Sequence, residues 1–512
     1  MNKRTTGVVL SYLLIVIDIV VGIVFVPFLL GGLGEDEYGL YKLLFSTASY
    51  LSVLDFGIGA TITRYIVKFK TEGRKQDEEN FAAMGLIIYA ALSVIVIVLA
   101  IGISFFIPTM YASSISADKM GYARILFLLM CTNTAVNLFN HAYNGLLHAY
   151  ESFFFTKTTN IAKVLLRVGL IVAGVTMKPY AVIVVGVDLF LSVAILIMNI
   201  VYTRFRLKCR IKLHKWDKLL AKEALIFTTA ILAQSIINQF NSNVDNVVLG
   251  IFTTTSVITM YSIALQLFTM YSSLSTAVST IYLPTISKAV FRGESDDKIT
   301  ERIIAPSRIQ LMILLLALSG FFLFGKDFIG LWVGSEYNEA YLIAGVLLSA
   351  STVELSQNTM TSVLKAKNML HGKTLILGIS TAINAIITVV LVPIVGAWGA
   401  AIGTAFSMVF GYGVALNIYY QKRAKINMKM YYLQTYKGII IAIPFAVAIG
   451  WLISYFMECN SYFDFILEAG LYAIAYGVLM LLIGMNKNEK GKLFGVVKKI
   501  MGKIKRKSSK TR

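Results

Sequence analysis

Cysteine is nearly missing from this chain: three in 512 residues, Cys131, Cys209 and Cys459, with no CxxC pair and no metal-ligand spacing among them. No disulfide framework or zinc site is indicated. Charge is scarce too, at 14% of residues, against roughly 25% in soluble domains. Hydrolytic signatures are missing, with neither HExxH nor GxSxG. Gly320 to Lys326 has the spacing GxxxxGK, but Asp327 follows where a nucleotide loop needs Ser or Thr for Mg²⁺. No connection between apolar segments is long enough for a globular domain. That argues against an integral membrane glycan polymerase, ligase or glycosyltransferase, which needs a large outer loop or a catalytic domain. No enzymatic activity is expected, and whatever the chain does must be done inside a helix bundle.

What is present is apolar. The chain is 57% hydrophobic, with a mean hydropathy of +0.73. Windows long enough to cross a hydrocarbon core recur about fourteen times. They run near 7–31, 38–67, 81–110, 121–148, 155–177, 179–203, 223–250, 256–289, 303–333, 338–365, 371–393, 395–420, 433–457 and 463–485. A spanning segment must satisfy its own backbone, so the predicted fold is all-α and polytopic. Val8 to Leu30 is too long for a cleaved signal and is read as the first span.

A net charge of +20 suggests nucleic acid only until the bases are located. Seven of the 47 lysines and arginines depart from one pattern: Lys42, Lys119, Arg124, Lys178 and Lys326 read as outer residues, and Lys163 and Arg167 lie within span 5. All the others fall on alternate connections or at the two ends. The positive-inside rule then places both termini in the cytoplasm. The basic tail puts Leu493, Val497, Ile500 and Ile504 on one side of a helix suited to an anionic inner leaflet.

The most basic connection divides the chain into a first lobe of six spans (1–203), an inner loop (204–222), a second lobe of six spans (223–420), two further spans (421–486) and the tail (487–512). Leu40 to Lys68 and Met260 to Lys288 align without gaps, matching Tyr41 with Tyr261 and Lys68 with Lys288. Six spans per unit make the lobes parallel repeats, with a substrate path between them.

Polar residues at steps of three or four mark one face of several spans. Span 4 carries Asn133, Asn137, Asn140, His141, Asn144 and His148; span 5 carries Asn160, Lys163 and Arg167; span 7 carries Gln234, Asn238, Asn241 and Asp245; span 10 carries Glu354, Asn358, Thr361 and Lys365. Together they predict a water-filled cavity with Asn137, Asn144, Asn238 and Asn241 on its walls. Arg167 lies roughly 18 Å from the inner end of its span and is the best anion ligand, with Lys163 and Arg64 next. Its alternative role is an ion pair with one of the mid-membrane acids Asp18, Asp55, Asp188 and Glu354. Those acids are also the candidates for coupling to H⁺ or Na⁺, Glu354 first. His141 and His148 are possible proton carriers. No metal or other cofactor is expected.

Val26-Pro27-Phe28 through Gly31-Gly32-Leu33-Gly34-Glu35-Asp36-Glu37-Tyr38-Gly39-Leu40-Tyr41, and Leu54-Asp55-Phe56-Gly57 through Thr63-Arg64-Tyr65, resemble the N-terminal signature of Wzx-type oligosaccharide flippases. The span layout resembles the wider superfamily that includes the lipid II flippase and the multidrug and toxin extruders. The resemblance implies translocation of an isoprenoid diphosphate-linked oligosaccharide between leaflets of a bacterial plasma membrane, by alternating access around a cationic cavity, often ion-coupled. Arg64 and Asp55 carry over as positions of that motif. The implied partners are the lipid-linked glycan, anionic lipids and other polysaccharide assembly proteins, not nucleic acid. The nearest rival is a cation-coupled drug extruder, which would want an acidic cavity.

Overall fold

The computed structural model describes residues 3–55 and 57–491, apart from the side chains of 3–13, 15, 16, 18, 19 and 219–231. The Asp18 side chain and the apolar face expected in the tail therefore lie outside the described residues. Within them the chain forms helices and turns and no strand. Twelve helical stretches are long and apolar enough to cross a membrane. Helices α1 (Lys3–Leu33) and α8 (Lys218–Phe252) stand where the first and seventh spans were predicted. Large apolar side chains such as Phe105, Phe106, Ile394 and Phe456 point outward, as a surface solvated by lipid tails requires.

Several predicted spans are broken rather than continuous. Span 2 divides into α2 (Glu35–Ser49), a 3₁₀ turn (Tyr50–Asp55) and α3 (Ile58–Thr71). Gly57 joins them at φ 67°, a left-handed conformation that a Cβ would oppose. The chain continues through α4 (Lys75–Met110), α5 (Met120–Ala149), α6 (Phe153–Met177) and α7 (Ala181–Val201) before α8, and α9 (Thr255–Phe291) and α10 (Asp296–Trp332) after it. Span 10 breaks between α11 (Asn338–Ser356) and α12 (Met360–Ala366), so Glu354 and Lys365 do not share one regular helical face. After α13 (Leu370–Val395), span 12 starts as α14 (Ala397–Phe406), widens into a π-helix at Ser407–Ala415 and closes as α15 (Leu416–Lys422). Span 13 turns at Gly438, φ 79°, between α16 (Met428–Tyr436) and α17 (Ile439–Phe456), and α18 (Tyr462–Leu479) follows. Hydropathy is blind to such breaks because the residues around them stay apolar.

Two compact units emerge, residues 1–270 with 371–414, and 271–370 with 415–512. In the first, α5 packs against α3, α4 and α7, and α1 against α6. A Cβ on Gly145 would lie 2.5 Å from the Gly59 carbonyl oxygen, so glycine there permits a helix approach that Thr63 Oγ1 fastens by donating to the Gly145 carbonyl at 2.9 Å.

The second unit is organised around α10. Leu311, Met312 and Phe324 form a buried cluster with Ile439, Tyr472 and Tyr476. One turn before it, Arg308, 3% exposed, donates to the carbonyls of Gln434, Thr435, Lys437 and Gly484 at 2.6 to 2.9 Å. It also grips both carboxylate oxygens of Glu489, at 2.6 and 3.2 Å. A residue that reads in sequence as one more inner-loop charge is thus a buried clamp that satisfies the carbonyls at the α16–α17 elbow and after α18.

Candidate functional site

All the elements of the candidate site belong to the first unit. A cavity of about 520 Å³ is walled by α2, α5, α7 and α8. Its polar lining is Ser49 and Ser52 from α2 and the turn after it, Asn133, Asn137 and His141 from α5, Asp188 from α7, and Gln239, Ser242 and Asn243 from α8. The i, i+4, i+8 spacing of the three α5 residues delivers them to one wall. Carboxamides and hydroxyls predominate, each able both to donate and to accept hydrogen bonds. That suits a polyhydroxylated solute better than an apolar one.

Behind this lining stands the predicted cation cluster. Arg167 Nε donates to Asp188 Oδ1 at 2.5 Å and Arg167 Nη2 to Asp188 Oδ2 at 3.0 Å, and the guanidinium lies 5.4 Å from the Phe25 ring centroid. The two side chains are 27% and 21% exposed. Arg167 therefore meets the cavity through Asp188 and Tyr41 rather than directly, since both of these line the wall. Lys163 donates weakly to Ser192 Oγ at 3.4 Å. Neither Lys163, Arg167 nor Arg64, which is exposed on α3, lines this cavity. Sequence placed the two roles of Arg167, anion ligand and partner of a mid-membrane acid, as alternatives. The geometry realises the ion pair, and Asp188, a coupling candidate, is its other half.

The remaining candidates separate. Asn137 lines the cavity, and its Nδ2 donates back to the Asn133 carbonyl at 2.9 Å. Asn241 lines a second, adjoining cavity. Asn144 and Asn238 line neither; Asn238 is exposed and accepts from Gln234 Nε2 at 3.1 Å. Asn140 joins α5 to α7 by bonding Ser192 and Asn199, which is interhelical adhesion. Asp55 accepts from Tyr89 Oη at 2.6 Å and lies 3.2 Å from His141 Nδ1. Glu354 is half-buried in the second unit and lines neither cavity.

Two residues that sequence reasoning passed over are better placed. Lys42, counted as an outer residue, is on α2 and lines the second cavity, of about 240 Å³. Asp245, the acid of the α8 stripe, lines it as well and is 3% exposed. Its carboxylate accepts from Tyr261 Oη at 2.5 Å, Thr404 Oγ1 at 2.7 Å and Thr388 Oγ1 at 3.3 Å. Asn384 Nδ2 donates to Thr404 Oγ1 at 3.1 Å and completes the shell. Among the described residues Asp245 has no cationic partner. Being the only acid of its stripe was the signal available in sequence; its hydroxyl shell, contributed by α9, α13 and α14, was not. Of the two tyrosines aligned as a repeat, Tyr41 lines the larger cavity beside Asp188, and Tyr261 donates to Asp245.

The described residues contain no group of three or more His, Cys, Asp or Glu side chains fit to hold a metal ion. An oxygen-only shell such as that of Asp245 suits a hard cation or a proton instead.

Where α1 gives way to α2, a latch ties the ends of α2, α4 and α8 to the start of α9. Thr255 Oγ1 donates to Asp36 Oδ1 at 2.7 Å, Ser256 Oγ to Glu35 Oε1 at 2.5 Å, and Thr259 Oγ1 to the Glu35 carbonyl at 2.9 Å. Ser114 Oγ donates to the carbonyls of Gly250 and Thr253. A Cβ on Gly39 would stand 2.2 Å from the Thr255 carbonyl oxygen, so only glycine allows this approach.

Residues 5–290 match the family model described as polysaccharide biosynthesis protein. Two Haloferax volcanii proteins are similar in sequence. A probable flippase AglR is 31% identical over 170 residues, 33% of this chain and 35% of the relative. A probable low-salt glycan biosynthesis flippase Agl15 is 26% identical over 204 residues, 40% of this chain and 42% of the relative. The chain thus spans less than half the length of the curated relatives it matches. In fold it is similar to the lipid II flippase MurJ in an inward closed conformation, with a TM-score of 0.70 at 16% identity over 93% of this chain and 98% of that one. It is also similar to an inward-facing multidrug resistance MATE family transporter, with a TM-score of 0.58 at 14% identity over 76% and 91%.

Proposed function

The chain belongs to the polysaccharide biosynthesis protein family, and from that membership we propose that it is a flippase for an isoprenoid diphosphate-linked oligosaccharide. The observation that carries this reading is the cavity wall of Asn133, Asn137, Gln239, Asn243, Ser49 and Ser242, whose paired donors and acceptors match sugar hydroxyls. Behind it Lys163 and Arg167 face one carboxylate, Asp188, and Lys42 adds a further cation beside the wall. That surplus lowers the cost of carrying a diphosphate through a low-dielectric interior. A drug extruder selecting cations would need the reverse, and the acid on this wall is already neutralised by Arg167.

The two six-span lobes alternate access to this cavity, in the plasma membrane with both termini cytoplasmic. In that orientation the latch of Glu35 and Asp36 with Thr255, Ser256 and Thr259 closes the outer side. Coupling to Na⁺ or H⁺ falls to Asp245: a carboxylate buried without a cation is expensive until one arrives. Anionic lipids of the inner leaflet and other assembly proteins are its surroundings.

The test is transport of a fluorescent polyprenyl diphosphate-linked oligosaccharide in vesicles containing the full chain. Arg167→Ala leaves Asp188 unpaired at the cavity wall and should slow flipping at least about tenfold, a barrier increase of about 1.4 kcal/mol. Arg167→Ala with Asp188→Ala should recover protein level but not rate. Recovery of both would leave Arg167 a purely structural role; absence of flipping by the unaltered chain would sink the reading.

The latch makes a second prediction. Gly39→Val should hold the outer ends of α2 and α9 apart. In a chain without native cysteines, labelling of Ser242→Cys by an impermeant maleimide from the outer side should rise several-fold. Unchanged labelling would remove the latch from gating.

A further inference from the structure

A further cavity of the first unit shares no residue with the two described above. It holds about 710 Å³, within the roughly 300–1,000 Å³ of sites that engulf a small ligand. α7 runs into a π-helical turn, Tyr202–Arg206, and the chain then continues without helix to Asp217. Lys208 turns it at φ 52°, a left-handed conformation that side chains rarely adopt. The segment is tied down: Asn80 Oδ1, on α4, accepts from the His214 and Lys215 amides at 2.9 and 3.0 Å. His214 Nε2 also lies 3.0 Å from Glu79 Oε2. Held in this way, the segment lines the cavity with Arg204, Lys208, Arg210 and Lys212, joined by Tyr143 and Thr203.

No carboxylate lines this cavity, and none of its four cationic side chains makes an ion pair or a hydrogen bond with any described residue. Glu78 and Glu79, at the start of α4, are engaged by Tyr150 and His214. A solvated run of bases would share these features, but it would have no buried polar floor. Thr203 is 1% exposed, and its hydroxyl has no partner among the described residues. Helical threonines elsewhere in the chain, Thr47, Thr132 and Thr253 among them, donate to the carbonyl four residues back. Thr203 does not, and a buried hydroxyl left unpaired carries a penalty that a ligand oxygen would relieve. Donors that converge with no carboxylate among them select an oxyanion.

The margin of the cavity says which oxyanion. Ile200, which lines it, and Phe205, Leu213 and Trp216, which flank its bases in sequence, are each more than a third exposed. Ile197 and Val201 extend the exposed Ile200 face along α7. Exposed apolar side chains interleaved with bases suit the inner membrane interface. We propose that this cavity binds the phosphate headgroup of an anionic phospholipid, with Thr203 and the four bases on its oxygens and its acyl chains along Ile197, Ile200 and Val201. A soluble phosphate ester offers the same oxygens but nothing for that apolar face. The site is separate from the carbohydrate path and does not depend on the flippase reading.

The test is native mass spectrometry of the full chain, titrated in detergent with phosphatidylglycerol, phosphatidylcholine and glycerol phosphate. The unaltered chain should hold phosphatidylglycerol about tenfold more tightly than either other probe. Arg204→Gln with Arg210→Gln should erase that preference. Thr203→Val keeps every charge and should still weaken phosphatidylglycerol several-fold. Lys422→Gln with Arg423→Gln removes two bases from another inner connection and should change nothing. Equal losses from the two double variants, or undiminished binding by Thr203→Val, would reduce the site to a solvated basic face and overturn the proposal. Glycerol phosphate bound as tightly as the lipid would overturn the phospholipid as its occupant.

Discussion

Asp245→Asn should lower transport at least about a hundredfold, equivalent to about 2.7 kcal/mol in the barrier, while leaving a folded protein in the membrane. The asparagine is isosteric and its carbonyl can still accept from Tyr261 or Thr404, whose hydroxyls can turn to suit an amide. What it cannot do is attract a cation or take up a proton. The two roles are separable in one further measurement. If Na⁺ binds here, raising it to a hundred times its dissociation constant should stabilise the unaltered chain by about 2.7 kcal/mol. Asp245→Asn should show no such gain. Asp245→Ala should lose transport too, and stability besides, because the hydroxyls of Tyr261, Thr388 and Thr404 lose their common acceptor. Normal flipping by Asp245→Asn would dismiss this residue from coupling and return attention to the Asp55–His141 pair.

Arg308→Ala should have the largest effect on stability, about 3–5 kcal/mol, the usual cost of removing one member of a buried ion pair. Glu489 would be left without its cation, and four carbonyls at the α16–α17 elbow and after α18 without their donor. Arg308→Lys should rescue little, since a single ammonium cannot reproduce the planar fork that reaches both Glu489 oxygens and the carbonyls together. The measurement is denaturation of the purified protein in detergent, followed by tryptophan fluorescence. A loss under about 1 kcal/mol would show that the clamp is redundant with the apolar packing of Leu311, Phe324 and Tyr472.

Much of the fold could be read from the sequence because lipid leaves so few solutions: the long apolar runs became helical stretches near their predicted places, several of them broken. The breaks at Gly57, Gln357 and Gly438 could not, since they change backbone angles without changing polarity. In the site, Asn137 was legible through its spacing with Asn133 and His141. The Arg167–Asp188 contact was half legible, because consecutive spans bring residues near mid-membrane side by side, yet sequence could not choose between a partnered and a ligand-seeking guanidinium. Asp245 was hidden by distance along the chain. Thr388 and Thr404 lie 143 and 159 residues away, and threonine in an apolar helix carries no signal of its own. Lys42 was misplaced by a rule that sorts charges by loop and has no category for a lysine pointing into a bundle.

The twin tyrosines have a last consequence. Tyr41 lines the cavity beside an acid, Asp188, answered by a guanidinium that stays protonated at any physiological pH, so that site is electrically constant. Tyr261 serves an acid answered, among the described residues, by neutral hydroxyls, so on the proposed coupling that site would change its charge each time an ion arrived or left. The membrane voltage, worth about 2.3 kcal/mol per elementary charge per 100 mV, would then do work on the Asp245 site and leave the Arg167–Asp188 pair as an inert counterweight.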